Sequence, residues 1–246
     1  MISLQDRGVV VVGGGSGLGF AAVELALRLG ARVVVGDISE DARAVLAPLG
    51  ADAHFVACDA REPAQTDALF TTAAAWLGGI DGVLTTVGGA RLGDLDTLDL
   101  AAWKAELDFN LTSAYSVCRS ALPHLIRRGG GAIVTTSSGY ALLAGPDRMG
   151  YTAAKAGVIA FTRSLAASAA PHRVRANCMA PGPIDTARFR AMNGGDAGVE
   201  QVRRRMPLGS IPTPMECAQL AIFLLSDAAA QITGQVIHVN GGLLMP

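Results

Sequence analysis

The sequence predicts an α/β fold: a single doubly wound (Rossmann) domain over residues 1–246, with a seven-stranded parallel sheet and helices on both faces. Short apolar, β-branched runs alternate with longer Ala- and Leu-rich segments along the chain. The apolar runs lack polar alternation, as expected for strands that are covered on both faces. Regular alternation of strands and helices implies a parallel sheet with right-handed crossovers. The ligand crevice of such a sheet lies at the carboxyl ends of its strands, where strand order reverses.

Glycine and proline positions help to define the predicted elements. Gly30 suits the left-handed residue that closes the first helix, and Pro63 suits the first turn of a later one. Pro123 predicts a bend in a long helix. Residues 183–212 are rich in proline, glycine and arginine, and we expect them to form a substrate lid within the domain. The strands are predicted at 9–12, 32–35, 53–57, 82–86, 132–136, 174–179 and 235–239, and the longer helices at 19–29, 62–77, 100–128, 151–170 and 214–226.

Composition narrows the classes of partner. The formal net charge is −1 and the basic block is Arg203–Arg205, so no nucleic-acid partner is expected. No window of about twenty residues is apolar and uncharged, so no membrane partner is expected either. The first apolar run, Val9–Val12, is too short for the core of a signal peptide, which predicts a cytoplasmic protein. The cysteines form no C-x-x-C pair and the histidines are scattered, so no metal site is predicted.

The sequence GGGSGLG, residues 13–19, connects the first predicted strand to the first helix. Its spacing is G-x-x-x-G-x-G, through Gly13, Gly17 and Gly19, rather than G-x-G-x-x-G. The free N–H groups of a helix N-terminus attract phosphate oxygens, and glycines let the pyrophosphate approach the backbone. The loop therefore predicts a nucleotide site.

Asp37 ends the second predicted strand and bears on the choice of nucleotide. A carboxylate at this position can accept both hydrogen bonds of an adenosine ribose diol, and it repels a 2′-phosphate. No Arg or Lys occupies positions 14–16 or 38, where a 2′-phosphate would need a cation. These residues favour NAD over NADP. Up to this point they also fit a methyltransferase that uses S-adenosylmethionine.

The segment YTAAK places Tyr151 and Lys155 four residues apart, on one face of a predicted helix. A nearby ammonium favours the phenolate and lowers the tyrosine pKa, so such a pair can act as a general acid/base. Ser138 closely follows the fifth predicted strand, and its hydroxyl should face the same crevice. These three side chains predict proton transfer to or from a substrate oxygen.

The chain resembles the short, single-domain branch of the short-chain dehydrogenase/reductase family over essentially its whole length, through eight motifs that occur in the expected order and at the expected spacing. They are GGGSGLG, Asp37, Asp59, Asn110 in DFNLTSAY, Ser138, YTAAK, NCMAPGPIDT (177–186) and ITGQVIHVNGG (232–242). The resemblance implies an NAD-dependent oxidoreductase that interconverts a secondary alcohol and a ketone. A methyltransferase has no use for the serine, tyrosine and lysine together.

The resemblance also implies roles for individual residues. Tyr151 would be the acid/base, Lys155 would lower its pKa and bind the nicotinamide ribose, and Ser138 would hold the substrate oxygen. Asn110 would support a water that leads from Lys155 to solvent, and Asp59 would meet the adenine amino group. The implied cofactor-binding residues are Gly13, Gly15, Ser16, Gly17, Leu18, Gly19, Asp37, Ile38, Asp59, Ala60, Val87, Gly88, Tyr151, Lys155, Pro181, Gly182, Ile184 and Thr186.

Two departures from the family pattern fall in one neighbourhood. Val12 stands where threonine is frequent, and TTVG at 85–88 replaces Asn-Asn-Ala-Gly. Thr86 can still make a hydrogen bond there, with shorter reach than asparagine. The departures bear on cofactor affinity rather than on the fold.

Two alternatives stay open within this resemblance. One is an NADP-dependent 3-oxoacyl reductase that acts on acyl-carrier or CoA thioesters, against which Asp37 counts. The other, from a different class, is a non-catalytic dinucleotide-binding sensor. The expected partner is a small-molecule substrate of unidentified structure. The family resemblance further implies a homotetramer, built through the helices at 100–128 and 151–170 and the last strand.

Overall fold

The computed structural model describes residues 2–143 and 145–245, and its strands form one parallel sheet in the order β3-β2-β1-β4-β5-β6-β7. The predicted doubly wound fold is therefore confirmed. Strand order reverses between β1 and β4, which places the crevice at their carboxyl ends. The strands are β1 Gly8–Val12, β2 Arg32–Asp37, β3 Ala53–Ala57, β4 Gly82–Thr85, β5 Gly131–Thr136, β6 Val174–Pro181 and β7 Val236–Val239.

Helices connect successive strands, and several begin where the sequence carries a start signal. Pro63 is the first residue of α3, and Thr213 with Glu216 forms a reciprocal capping box at the start of α9. Gly30 follows α1 with φ +88°, as predicted for the residue that closes it. The helices are α1 Gly17–Arg28, α2 Asp41–Leu46, α3 Pro63–Leu77, α4 Leu100–Leu107, α5 Ser113–Arg128, α6 Met149–Ala169, α7 Ala187–Met192, α8 Asp196–Arg203 and α9 Pro214–Leu225.

The central strand β1 is buried on both faces. Val9 and Val11 pack with α1 and α9, whereas Val10 and Val12 pack with α3 and α5 on the opposite face. Each fully buried valine contributes roughly 1.5–3 kcal/mol to folding. This double burial explains why the β1 sequence lacks polar alternation, and it anchors the start of the glycine loop.

The long helix predicted over 100–128 is interrupted, but not at Pro123. The structure divides it into α4, a π-helical turn at Asp108–Thr112, and α5, which continues through the proline. Within the turn the Asn110 side chain donates to the Glu106 carbonyl at 3.0 Å, and the Ser113 hydroxyl donates to the Phe109 carbonyl at 2.7 Å. These side-chain bonds support the wider turn, which lies beside the crevice.

The segment predicted as a lid contains α7 and α8, which follow β6 at the crevice. Arg203 and Arg204 both pair with Glu200 on the exposed surface of α8. In the described part of the chain, no helix combines the length and the apolar character needed to cross a bilayer. Within the same residues, no cluster of His, Cys, Asp and Glu side chains is placed to hold a metal ion.

Candidate active site

The glycine loop turns sharply at Gly13, which has φ +86°. The Thr86 hydroxyl donates to the Gly13 carbonyl at 2.9 Å, and a Cβ atom at Gly13 would lie 2.7 Å from that hydroxyl oxygen. The hydrogen bond expected of Thr86 is therefore confirmed. It ties the loop to the end of β4 although Val12 carries no hydroxyl.

The N-terminus of α1 is built to receive an anion. Ser16 is the N-cap residue, but its side chain does not cap the first-turn N–H groups. Across the crevice, the Thr186 methyl group lies 3.6 Å from where a Cβ atom of Gly17 would be. Uncapped N–H groups and the helix dipole suit a pyrophosphate between these two walls. The residues present thus fit a dinucleotide.

Asp37 is held beside the glycine loop by backbone donors. One carboxylate oxygen accepts the Gly15 N–H at 2.8 Å, and the other accepts the Ser39 N–H at 3.0 Å. Each oxygen of a carboxylate has capacity for a second hydrogen bond, so both can still accept a ribose hydroxyl. Gly15 lies against the Asp37 carboxylate, where a Cβ atom would be 2.8 Å from its oxygen. Its contribution is to orient Asp37 rather than to line the crevice.

The adenosine end of the crevice is a cleft of about 440 Å³. Asp59 lies in it and pairs with Arg61, with 2.6 Å between the closest oxygen and nitrogen. The Arg61 hydrogen bonds lower the pKa of Asp59. Arg61 was not predicted, since a single arginine four residues after β3 carries no motif. The predicted residues that line this cleft are Gly13, Ser16, Asp37, Ile38, Asp59, Ala60, Val87 and Gly88.

The other end of the crevice is a cleft of about 730 Å³, in which Ser138, Tyr151 and Lys155 meet. Ser138 follows β5, and its hydroxyl oxygen accepts the Tyr140 N–H at 3.2 Å. The Ser138 side chain is also among the groups that lower the pKa of Tyr151, which places it beside the phenol. The sequence-predicted residues that line this cleft are Gly13, Ser16, Gly17, Leu18, Gly19, Gly88, Ser138, Tyr151, Lys155, Pro181, Gly182, Ile184 and Thr186.

Lys155 is buried, with 3% of its surface exposed, and its ammonium donates to the Thr136 carbonyl at 2.9 Å. The nitrogen lies 5.8 Å from the centre of the Tyr151 ring. The Ser137 hydroxyl donates to the Lys155 carbonyl at 2.7 Å and so ties α6 to β5. Burial lowers the pKa of Lys155 to about 8. An ammonium has three N–H groups, so two can still donate to sugar hydroxyls.

The pKa of Tyr151 differs in sign from the prediction. Burial raises it above the ordinary value, whereas the Ser138 side chain and the charges of Arg148 and Arg188 lower it. Lys155 is not among the groups that lower it. The physical reason is that loss of water around the hydroxyl outweighs an ammonium that is itself desolvated and held by a carbonyl.

Asn110 is fully buried and lies behind the wall of the crevice. Its amide exchanges two hydrogen bonds with the Gly89 backbone, at 2.9 and 3.1 Å. The neighbouring Gly88 has φ +144°, and a Cβ atom there would lie 2.6 Å from the Asn110 oxygen and 2.7 Å from the Lys155 nitrogen. Asn110 therefore shapes the strip of backbone against which Lys155 packs. That Asn110 supports a water leading from Lys155 to solvent stays a prediction.

Two further side chains at the site were not predicted from the sequence. Glu106, on α4, is 3% exposed and hydrogen-bonds to Asn110. Arg188, on α7, crosses the crevice and donates to the Ala90 carbonyl at 3.3 Å. The spacing of Glu106 four residues before Asn110 was a usable signal for one helix face. No comparable signal marked Arg188.

A doubly wound sheet with a glycine loop, a carboxylate after β2 and a Ser–Tyr–Lys cluster defines a class of dinucleotide-binding oxidoreductases. A family model described as enoyl-(acyl carrier protein) reductase matches residues 12–244. The chain is 34% identical to a 2,5-dichloro-2,5-cyclohexadiene-1,4-diol dehydrogenase of Sphingobium indicum, over 98% of each chain. It is also 34% identical to a 3-oxoacyl-(acyl-carrier-protein) reductase of Chlamydia muridarum, again over 98% of each.

Solved structures agree with this assignment. A short-chain type dehydrogenase/reductase from Mycobacterium ulcerans superposes with a TM-score of 0.92 at 30% identity, covering 98% of this chain and 90% of the other. The chain belongs to the short-chain dehydrogenase/reductase family. It is an oxidoreductase of the kind that acts on CH–OH or C=O groups, in a family that uses NAD or NADP.

Proposed function

We propose that the chain is an NAD-dependent dehydrogenase that interconverts a secondary alcohol and a ketone, with Tyr151 as the acid/base. The observation that carries the proposal is the convergence of Ser138, Tyr151 and Lys155 on one crevice whose other end holds Asp37. Ser138, Tyr151 and Lys155 would thus transfer the proton at one end of the crevice, and Asp37 would select the nucleotide at the other. A non-catalytic sensor would have no need of the first group.

The chain's own residues divide the chemistry between them. The Ser138 hydroxyl, which lies in the same cleft as Tyr151, orients the substrate oxygen, and the Tyr151 hydroxyl exchanges a proton with it. Lys155 has two N–H groups available for the nicotinamide ribose and supplies positive charge near the tyrosine. The bound nicotinamide cofactor would supply the hydride acceptor or donor. In the reductive direction, Tyr151 gives up its proton.

The preference for NAD rests on the charges at the adenosine end. The Asp37 carboxylate faces the cleft, and a 2′-phosphate beside it would be repelled. Arg61 lines the same cleft, but Asp59 already neutralises its charge. An NADP-dependent 3-oxoacyl reductase is the second candidate, and a relative named as a 3-oxoacyl-(acyl-carrier-protein) reductase supports the reaction but not the choice of nucleotide.

We also propose that residues 183–212 act as the substrate lid of a single domain. The hydrogen bond from Arg188 to the Ala90 carbonyl connects α7 to the opposite wall of the crevice. A homotetramer is the proposed assembly, since β7 is an edge strand with half-buried apolar residues and Tyr115 on α5 is exposed. Light scattering coupled to gel filtration tests this, and a monomer would contradict it.

The experiment that tests the proposal is an activity screen in both directions. The purified chain is incubated with NAD⁺ and secondary alcohols from several classes: cyclic diols, sugars, steroids and simple alcohols. A parallel arm offers a 3-oxoacyl thioester with NADPH. We expect NADH formation with at least one alcohol, and none with Tyr151→Phe prepared in the same way. Turnover confined to the thioester with NADPH would support the second candidate instead.

A further inference from the structure

Glu106 is a buried carboxylate whose hydrogen-bond donors are uncharged. One of its oxygens accepts a hydrogen bond from the backbone N–H of Arg91 at 2.9 Å, and the other accepts one from the side-chain amide of Asn110 at 3.1 Å. The residue is 3% exposed, on a helix that is otherwise mostly at the surface. Burying a charge beside neutral donors is costly, so a group of this kind calls for a functional explanation.

The carboxylate joins three parts of the catalytic end. Arg91 lies in the loop after β4, Asn110 lies in the π-helical turn, and Gly150 precedes Tyr151 on α6. A Cβ atom at Gly150 would lie 3.0 Å from the Glu106 Cβ, so the side chain lies directly against the turn that carries Tyr151. Displacement of Glu106 would therefore disturb three walls of the site together.

The bond to Asn110 extends this influence to the catalytic lysine. Asn110 holds the Gly89 backbone by two hydrogen bonds, and its oxygen and the Lys155 nitrogen pack on the same face of Gly88. Glu106 thus reaches Lys155 through Asn110 and the glycine backbone, and reaches Tyr151 through α6.

The charge of the Glu106 carboxylate also acts on Tyr151 and Lys155 directly. Its negative charge raises the pKa of both Tyr151 and Lys155, because it disfavours loss of a proton from either. The buried Cys178 thiol faces Lys155 from β6, but burial raises its own pKa, so it is neutral near neutral pH. Glu106 is then the anion that acts on both groups.

The remaining charges around Tyr151 are cationic. Arg148 and Arg188 both lower its pKa. Arg148 is paired with Asp147 at 2.8 Å, and Arg188 reaches the site from α7. The Arg91 side chain is exposed on the loop after β4. The buried Glu106 carboxylate therefore opposes cations that come from the neighbouring elements.

We infer that Glu106 is a positioning residue for the reaction, which acts on Tyr151 and Lys155 through Asn110 and α6, and that this role requires its negative charge. The inference rests on the proposed function, in which those two groups manage the proton. Glu106 lines the 440 Å³ cleft, and the role inferred for it is indirect, through the groups that it holds.

The test compares two substitutions over a range of pH. Glu106→Gln keeps an oxygen for the Arg91 N–H but removes the charge, so both limits of the kcat/KM profile should move to lower pH by about half a unit or more. Glu106→Asp keeps the charge with a shorter reach, and should lower kcat while leaving the limits in place. Asp52→Asn removes an exposed negative charge far from the crevice, and should reproduce the wild-type profile.

A purely structural role predicts a different result. The kcat/KM profile of Glu106→Gln would then rise and fall at the same pH values as that of the wild type and only its height would drop. That outcome overturns the inference. A shift of the same size in Asp52→Asn would also overturn it, because net charge would then be the cause. Should Glu106→Gln fail to fold, Glu106→Asp can still overturn the inference, because displaced limits in a variant that keeps the charge would show that the charge does not set them.

A readout without turnover separates this inference from the proposed function. The phenolate absorbance of Tyr151 is titrated as the difference between each protein and the same protein carrying Tyr151→Phe. Glu106→Gln should form the phenolate at lower pH than the wild type. Absence of turnover with every alcohol would contradict the proposed function. A Glu106→Gln variant that forms the phenolate at the same pH as the wild type would contradict the role of Glu106.

Discussion

The two ends of the crevice keep their charged groups in opposite ways. At the adenosine end, Asp37 is half-buried and held by two backbone N–H groups, and Asp59 is paired with Arg61. At the catalytic end Lys155 is 3% exposed, and so is Glu106 on the wall of the neighbouring cleft; the hydrogen bonds of both are to uncharged groups. The first arrangement pairs its charges or leaves them partly exposed, whereas in the second burial lowers the pKa of Lys155.

This difference indicates what each end is for. A binding end needs fixed charges that stay ionised over the working pH range, and the lowered pKa of Asp59 satisfies that need. An end that moves protons needs groups that can change charge; the pKa of Lys155, about 8, lies near neutral pH, whereas burial raises the pKa of Tyr151 above its ordinary value. Substitutions at the two ends should therefore separate binding from chemistry.

Tyr151→Phe should have the largest effect. Removing the hydroxyl eliminates the acid/base, which is worth about 10²–10⁴-fold in turnover. The NADH dissociation constant should stay near the wild-type value, because the ring and the rest of the cleft are kept. Steady-state kinetics with the alcohol found by screening measures the first quantity. Retained turnover would refute the assigned role.

Lys155→Met should abolish most activity but stabilise the fold. The lysine has a pKa of about 8 in the folded chain against 10.5 when exposed, which corresponds to about 3 kcal/mol of unfolding free energy at pH 7. Between pH 8 and 10.5 the unfolded chain binds more protons, so wild-type stability rises with pH over that window. The unfolding free energy gained by Lys155→Met should therefore become smaller as the pH rises from 8 to 10.5.

Denaturant unfolding of both proteins at pH 7 and near pH 10 measures this effect. A Lys155→Met variant that is less stable than the wild type at pH 7 would contradict it. The comparison also tests whether the catalytic end carries a stability cost that the adenosine end does not.

Asp37→Ser should act on cofactor choice alone. Loss of a charge-assisted pair of hydrogen bonds to the ribose should raise the NADH dissociation constant about tenfold or more, and NADPH binding should improve as repulsion is removed. Calorimetric titration with both nucleotides measures the ratio. An unchanged ratio would show that Asp37 does not select the nucleotide.

The smallest effect is expected from Thr86→Val, with Thr85→Val as its matched control. Thr86 loses its hydrogen bond to the Gly13 carbonyl, so NADH affinity or stability should fall by about 1 kcal/mol. The Thr85 hydroxyl is buried, and the described residues offer it no partner, so its removal should cost nothing or stabilise. Thermal melting with and without NADH measures both. Equal losses would contradict the assignment of Thr86.

The sequence predicted the adenosine end better than the catalytic end. The glycine loop and Asp37 follow strands whose apolar runs are continuous, so local pattern was sufficient to place them at one sheet edge. Glu106 resembles a solvated helical residue until α6 packs over it, and the interruption at Asp108–Thr112 depends on hydrogen bonds that no propensity encodes. The raised pKa of Tyr151 likewise depends on burial, which follows from tertiary packing.

The most direct test of separate ends is to titrate Tyr151→Phe and the wild-type protein with NADH and with NADPH, alongside an assay of turnover. The account predicts that the variant binds NADH as tightly as the wild type and keeps the same preference over NADPH, while its turnover is lost. A variant that loses the preference together with turnover, or keeps turnover, would contradict the account.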